Sequence, residues 1–132
     1  MFADVLRLAD RIPSLRIVID HLPFYTPTVS GAMRELTKRS QIYAKVSGVL
    51  RNVDGRVPSD SGAYKESLDE LWDVFGKDRV IYASNWPVSN RMASYPVVLS
   101  VVKEYFTAKG QDAAERYFWR NSLAAYKWIN RK

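Results

Sequence analysis

His21 is the sole histidine of the chain. Near neutral pH an imidazole can act as acid, base, metal ligand or hydrogen-bond donor. The plainer alternative is a structural histidine bonded to a loop carbonyl. Lys45 interrupts the otherwise apolar run QIYAKVSG. With strict alternation, Tyr43, Lys45 and Ser47 share one face of that run. The lysine could bind an anionic group, or snorkel past a helix end. Asn85 lies in the stretch ASNWPVS. Its amide can orient a ligand through hydrogen bonds but cannot act as a general base at ordinary pH. Its other reading is a turn-stabilising asparagine before Trp86-Pro87. Arg51, Arg56 and Arg91 could pair with carboxylates, or stand solvated on loops.

These residues need elements to position them. Residues 2–11 place Phe2, Val5, Leu6 and Leu8 at helical spacing before Pro13. LRIVID (15–20) is short, β-branched and apolar, which predicts a buried parallel strand followed by the loop HLPFYTPT. A helix is expected over 29–40, with Val29, Met33 and Leu36 on one face, and a second strand over 41–48. Residues 51–62 are polar and rich in turn formers, so a long loop is expected. A helix follows over 63–75, with Gly76 where a C-terminal cap belongs. RVIYAS (79–84) reads as a third strand. Pro96 suits the first turn of a helix over 96–108, and helices over 112–119 and 121–130 close the chain. Strands separated by helices imply an α/β fold with a parallel sheet. Functional groups of such sheets lie at the carboxyl ends of the strands. Asp20-His21, Lys45 to Gly48, and Ser84 to Pro87 all fall there.

Composition narrows the function classes. The chain has 132 residues, 47% hydrophobic and 13% aromatic, which suits one globular unit with a core. It has no cysteine, so disulfides, thiolate zinc sites and cysteine nucleophiles are excluded. Asp4, Arg7, Asp10 and Arg11 interrupt any signal-peptide core, and no apolar run is long enough to span a bilayer. A soluble, cytoplasmic protein without membrane contact is expected. The net charge of +6 is scattered, with small groups at Arg34, Lys38 and Arg39 and at Arg131 and Lys132. No nucleic-acid motif accompanies it, so a solvated basic surface is expected rather than a nucleic-acid interface.

The segments IVIDHLPFYTP (17–27), IYAKVSGV (42–49), FGKDRVIYASNWPVS (75–89) and RNSLAAYKW (120–128) occur in an order and spacing that resembles the C-terminal half of amidohydrolase-related proteins. The similarity is to the branch holding the sugar lactonases and 2-pyrone-4,6-dicarboxylate lactonase. It implies the C-terminal portion of a TIM (β/α)8 barrel, about three parallel strands with flanking helices, as one domain over 1–132. It also implies a hydrolase that opens lactones with activated water, acting on a small molecule. In that family an aspartate at the end of the last strand activates the water, while histidines and arginines hold or polarise the substrate. His21 matches the later-strand histidine, and Asn85 stands at the aspartate position. His21 and Asn85 are therefore the expected catalytic pair, with Lys45, Ser47, Arg51 and Trp86 expected to bind substrate.

Two departures bear on activity. The family's His-x-His pair is absent, and asparagine replaces the expected base. No cofactor is expected. Zinc would need a complete barrel, because one imidazole and one amide fall short of a normal ligand set. Three parallel strands would leave two unpaired edges. Weak stability, self-association through those edges, or truncation of a longer protein would each follow, and the usual barrel length of about 250 residues favours truncation. The isolated chain is then expected to be inactive. A catalytically inactive relative serving as a binding domain is the second reading, motivated by Asn85. A basic partner-binding domain is the third, supported by charge alone.

Overall fold

The computed structural model of the protein describes residues 2–23 and 31–128. Helix α1 (Phe2–Arg11) leads to strand β1 (Ile17–Pro23). Helix α2 (Gly31–Glu35) and a single 3-10 turn lead to β2 (Ile42–Ser47). A long loop and another 3-10 turn precede α3 (Lys65–Phe75), which is followed by β3 (Val80–Tyr82). Helix α4 (Tyr95–Ala108) follows a 3-10 turn at Val88–Arg91. The chain closes with α5 (Gln111–Glu115) and α6 (Asn121–Tyr126), joined by a π-helical turn over Arg116–Arg120. The two closing helices expected from the sequence thus run on as one. Residues 129–130, expected to end the second, lie outside the described residues, as do residues 24–30 of the loop and helix expected after β1.

The sheet has the order β1-β2-β3, and both pairings are parallel. This is the parallel sheet that the alternating pattern implies, and its three strands with flanking helices are those expected from the partial TIM barrel that the resemblance implies. One face is apolar. Ile42, Ala44 and Val46 are fully buried, and their register partners Ile17, Ile19, Leu22, Val80 and Tyr82 share that face. Leu68, Leu71, Val74 and Phe75 of α3 and Val98, Val101, Val102, Tyr105 and Phe106 of α4 belong to the same core. Each such side chain contributes about 1.5–3 kcal/mol by leaving water. Phe106 stacks on Tyr117 with ring centroids 3.5 Å apart, and the Tyr117 hydroxyl donates to the Val46 carbonyl at 3.3 Å. Burial of Tyr117 holds its hydroxyl well above its ordinary pKa.

The edge of the sheet away from the strand C-termini is tied by polar clamps. Arg79, just before β3, donates to the carbonyls of Phe75 (3.1 Å), Val74 (3.3 Å) and Arg39 (3.0 Å). Two of these are orphan carbonyls at the C-terminus of α3. Asn121 is buried, and its amide donates to the carbonyls of Lys77 (2.7 Å) and Val80 (2.8 Å), locking α6 to the start of β3. Asn121→Ala removes both bonds, one of them to the buried Val80 carbonyl, and is expected to destabilise the protein by about 1–3 kcal/mol, read as a lower denaturant midpoint at unchanged slope.

Asp69 of α3 accepts hydrogen bonds from Lys65, from the Tyr105 hydroxyl at 2.7 Å and from Lys109 at 2.9 Å. Those donors, Lys65 first, hold its carboxyl well below the usual carboxylate range. A folded pKa below the unfolded value means stability that is present above about pH 4 and lost as pH falls further. The side chain is 30% exposed, so the contribution is about 1 kcal/mol. Asp69→Asn is expected to flatten the acid limb of a stability-versus-pH curve below about pH 4 and to leave its neutral-pH shape unchanged.

Candidate functional site

A β-bulge places His21. Ile19 pairs with Ala44 and Leu22 with Val46, so Asp20 and His21 together oppose the single residue Lys45. Strict alternation would have put His21 beside Ile17 and Ile19, against the helices. The extra residue gives that buried position to Leu22, and His21 takes a left-handed backbone (φ 58°). The histidine therefore lies within the C-terminal part of β1, not in a loop after residue 20 as the sequence suggests. The physical reason is that burying Leu22 prolongs pairing to β2 through Leu22 and Pro23.

Left-handed residues end the other two strands as well. Gly48 follows β2 with φ 62°, and Asn85 follows β3 with φ 53°. Such backbone is costly for side chains other than asparagine, aspartate and glycine, and it collects at functional sites. All three residues line one cavity of about 370 Å³. Val49, Leu50, Val88, Met92 and Val98 form its apolar wall, and Arg91 and Ser89 complete its lining. The Ser89 amide donates to the Asn85 carbonyl at 2.8 Å, which folds the 3-10 turn under the cleft. Ser89 Oγ is buried and has no hydrogen-bond partner among the described residues. The Trp86-Pro87 peptide bond is cis.

His21 Nδ1 lies 2.9 Å from Ser47 Oγ. Ser47 is 1% exposed and stands on the face that strand alternation assigns to Tyr43 and Lys45. Ser47 thus contacts the histidine rather than lining the cleft.

Three other expected binding residues point elsewhere. Lys45 opposes the bulge, and its ammonium lies 2.7 Å from Asp20 and 5.9 Å from the Tyr126 ring centroid. Burial lowers its pKa, but bonding to Asp20 and Tyr126 outweighs this and holds it above the ordinary value. Arg51 donates to Ser67 Oγ at 3.3 Å and sits over the Tyr64 ring. Trp86 is 59% exposed and does not line the cavity. Of the loop arginines, Arg91 reaches the cleft, while Arg56 closes a tight antiparallel bridge with Val53. Local sequence could not distinguish them, because the 3-10 turn after Asn85 decides which guanidinium returns to the rim. The apolar wall and Ser89 were also missed. Ser89, four residues past Asn85, is the one such residue with a spacing that could have marked it.

A zinc ion needs three or more protein donors of the His, Cys or carboxylate type. The cleft offers His21 alone, with Nδ1 engaged by Ser47, beside an amide that is a poor ligand. No cluster of three such residues occurs among the described residues. The described side chains lining this cleft do not by themselves fit a zinc site. No helix among the described residues is long and apolar enough to cross a membrane.

A parallel strand-helix sheet with a cleft at its strand C-termini is the architecture of a barrel enzyme's C-terminal portion. Within that class, the family model described as Amidohydrolase matches residues 1–128, and the chain belongs to the amidohydrolase family. It is 31% identical over 97 residues to L-fucono-1,5-lactonase of Burkholderia multivorans, covering 71% of this chain and 33% of that protein. It is 32% identical over 134 residues to L-fucono-1,5-lactonase of Burkholderia ambifaria, covering 93% of this chain and 45% of that protein. A crystal structure of an amidohydrolase from Burkholderia multivorans with bound zinc shares the fold at TM-score 0.79 and 24% identity, covering 97% of this chain and 49% of that one. The chain spans less than half the length of the curated relatives it matches.

Proposed function

We propose that the protein containing this chain hydrolyses a small lactone in the cleft between β1 and β3. The observation that carries this is the convergence of His21 and Asn85, each on left-handed backbone at a strand end, on one cavity with Arg91. The likeness to two L-fucono-1,5-lactonases supports a sugar lactone as the substrate class. The apolar wall accommodates the carbon face of such a ring, and the polar groups address its carbonyl and hydroxyls.

In this reading His21 and Arg91 hold and polarise the acyl oxygen, and Asn85 orients the attacking water. The water oxygen bonds to the carbonyl carbon, the ring C–O bond breaks, and the water proton ends on the released alkoxide, giving a hydroxy acid. Asn85 cannot carry that proton, so turnover is slow for the class. The test is acid release by the full-length protein from a panel of 1,4- and 1,5-lactones that includes L-fucono-1,5-lactone. Release above the spontaneous rate on at least one is expected. A rate equal to background on all of them overturns the reading.

Asn85 favours one further reading, a relative that binds the ring without opening it. Saturable binding of a sugar lactone with background hydrolysis would establish that alternative.

A further inference from the structure

The cleft carries a positive charge that no acid of this chain balances. Arg91, exposed on the 3-10 turn Val88–Arg91, is the permanently charged member of its lining. No aspartate or glutamate lines it, and residue 85 contributes a neutral amide. Asp20, beside His21, is paired with Lys45 at 2.7 Å and does not line the cavity. Residues 1, 24–30 and 129–132, outside the described ones, contain no aspartate or glutamate. Other arginines are engaged: Arg39 pairs with Asp10, Arg116 with Asp78 and Arg120 with Glu115. Among the described residues Arg91 makes no ion pair or hydrogen bond of its side chain. Its backbone is nonetheless held, because the Asn90 amide donates to the Pro87 carbonyl at 3.1 Å and the Met92 amide to the Ser89 carbonyl at 2.9 Å. A guanidinium so placed offers a planar fork of donors that matches a carboxylate.

We infer that Arg91 makes this cleft a binding site for the polyhydroxy carboxylate that lactone opening produces. Opening turns a neutral ester into a carboxylate at the acyl carbon, while the carbon skeleton keeps its contact with Val49, Leu50 and Val98. The ligand thus gains a full negative charge in a cavity whose lining holds an unbalanced positive one. A charge-assisted contact of this kind is about twice as strong as a neutral hydrogen bond, which corresponds to about tenfold in affinity. The neutral side chain at 85 permits it. A carboxylate there would put a second negative charge in the same cavity and compete for the guanidinium. The inference rests on the lactone reading for the skeleton of the ligand, but not for turnover.

The test is isothermal titration calorimetry on the full-length protein at one fixed pH. The probes are the hydroxy acids corresponding to the 1,4- and 1,5-lactones above, each against its uncharged carboxamide. At least one acid is expected to bind about tenfold more tightly than its carboxamide, with the preference shrinking as sodium chloride is added. Arg91→Gln should abolish the preference and leave carboxamide binding in place. Asn85→Asp should reduce it by about tenfold through charge repulsion. Equal binding of acid and carboxamide by the wild type overturns the inference, as does no binding of any acid. So does a preference that survives Arg91→Gln or is unchanged by Asn85→Asp. If Arg91→Gln does not fold, the wild-type preference and its salt dependence decide. Because binding needs no turnover, the two readings separate: acid-selective binding with background lactone hydrolysis keeps this inference and removes the reaction, and turnover with charge-blind binding does the reverse.

Discussion

Asn85→Asp in the full-length protein is expected to raise kcat for lactone opening by about 10²–10⁴-fold, the usual worth of a positioned general base. The amide of Asn85 has no proton-accepting form at ordinary pH, whereas an aspartate of pKa about 4 is a carboxylate throughout the neutral range. The exchange is nearly isosteric. The backbone at 85 has φ 53°, a conformation that asparagine and aspartate both tolerate. The bond that shapes the rim here runs from the Ser89 amide to the residue 85 carbonyl, so it survives the change. The gain should appear with rising pH as the new carboxyl ionises, and should vanish below about pH 3. A rate that stays flat, measured by acid release with folding checked by circular dichroism, would show that the missing carboxylate is not what limits turnover.

His21→Ala is expected to lower kcat/KM by about 10²–10³-fold, the scale for removing one donor from a developing oxyanion. The loss belongs in kcat, because the donor strengthens its bond as charge builds on the acyl oxygen. Measuring it in both the Asn85 and the Asn85→Asp backgrounds keeps the effect visible if wild-type turnover is slow. An equal fold loss in the two would show that His21 acts independently of the residue at 85. A loss confined to KM would make His21 a binding group only. Ser47→Ala should cost less, about tenfold, since the imidazole stays in the cleft and loses only its fixed orientation.

Much of the scaffold was written in local sequence. The β-branched runs around Ile17–Ile19, Ile42–Val46 and Val80–Tyr82 gave strands. Pro96 opened α4, and Gly76, at φ 65°, closed α3. Short apolar strands alternating with helices leave a parallel sheet as the arrangement that buries both. The position of His21 and Asn85 near the strand C-termini followed from that arrangement; the turn of His21 into the cleft did not.

What the tertiary structure decided lies within two or three residues of those ends. Leu22 competes with His21 for the buried place opposite Val46, and the bulge settles the contest for leucine. No pattern in IVIDHLP announces this, because it depends on the register against β2. The same register leaves Lys45 facing Asp20 and Ser47 facing His21, although both lie on one face of a single strand. Arginine placement was equally hidden, since Arg51 and Arg91 differ only in which turn carries them. Sequence determined which strands and loops border the rim, through propensities that act over a few neighbours. Burial and register between strands far apart in the chain determined which way each side chain turns there.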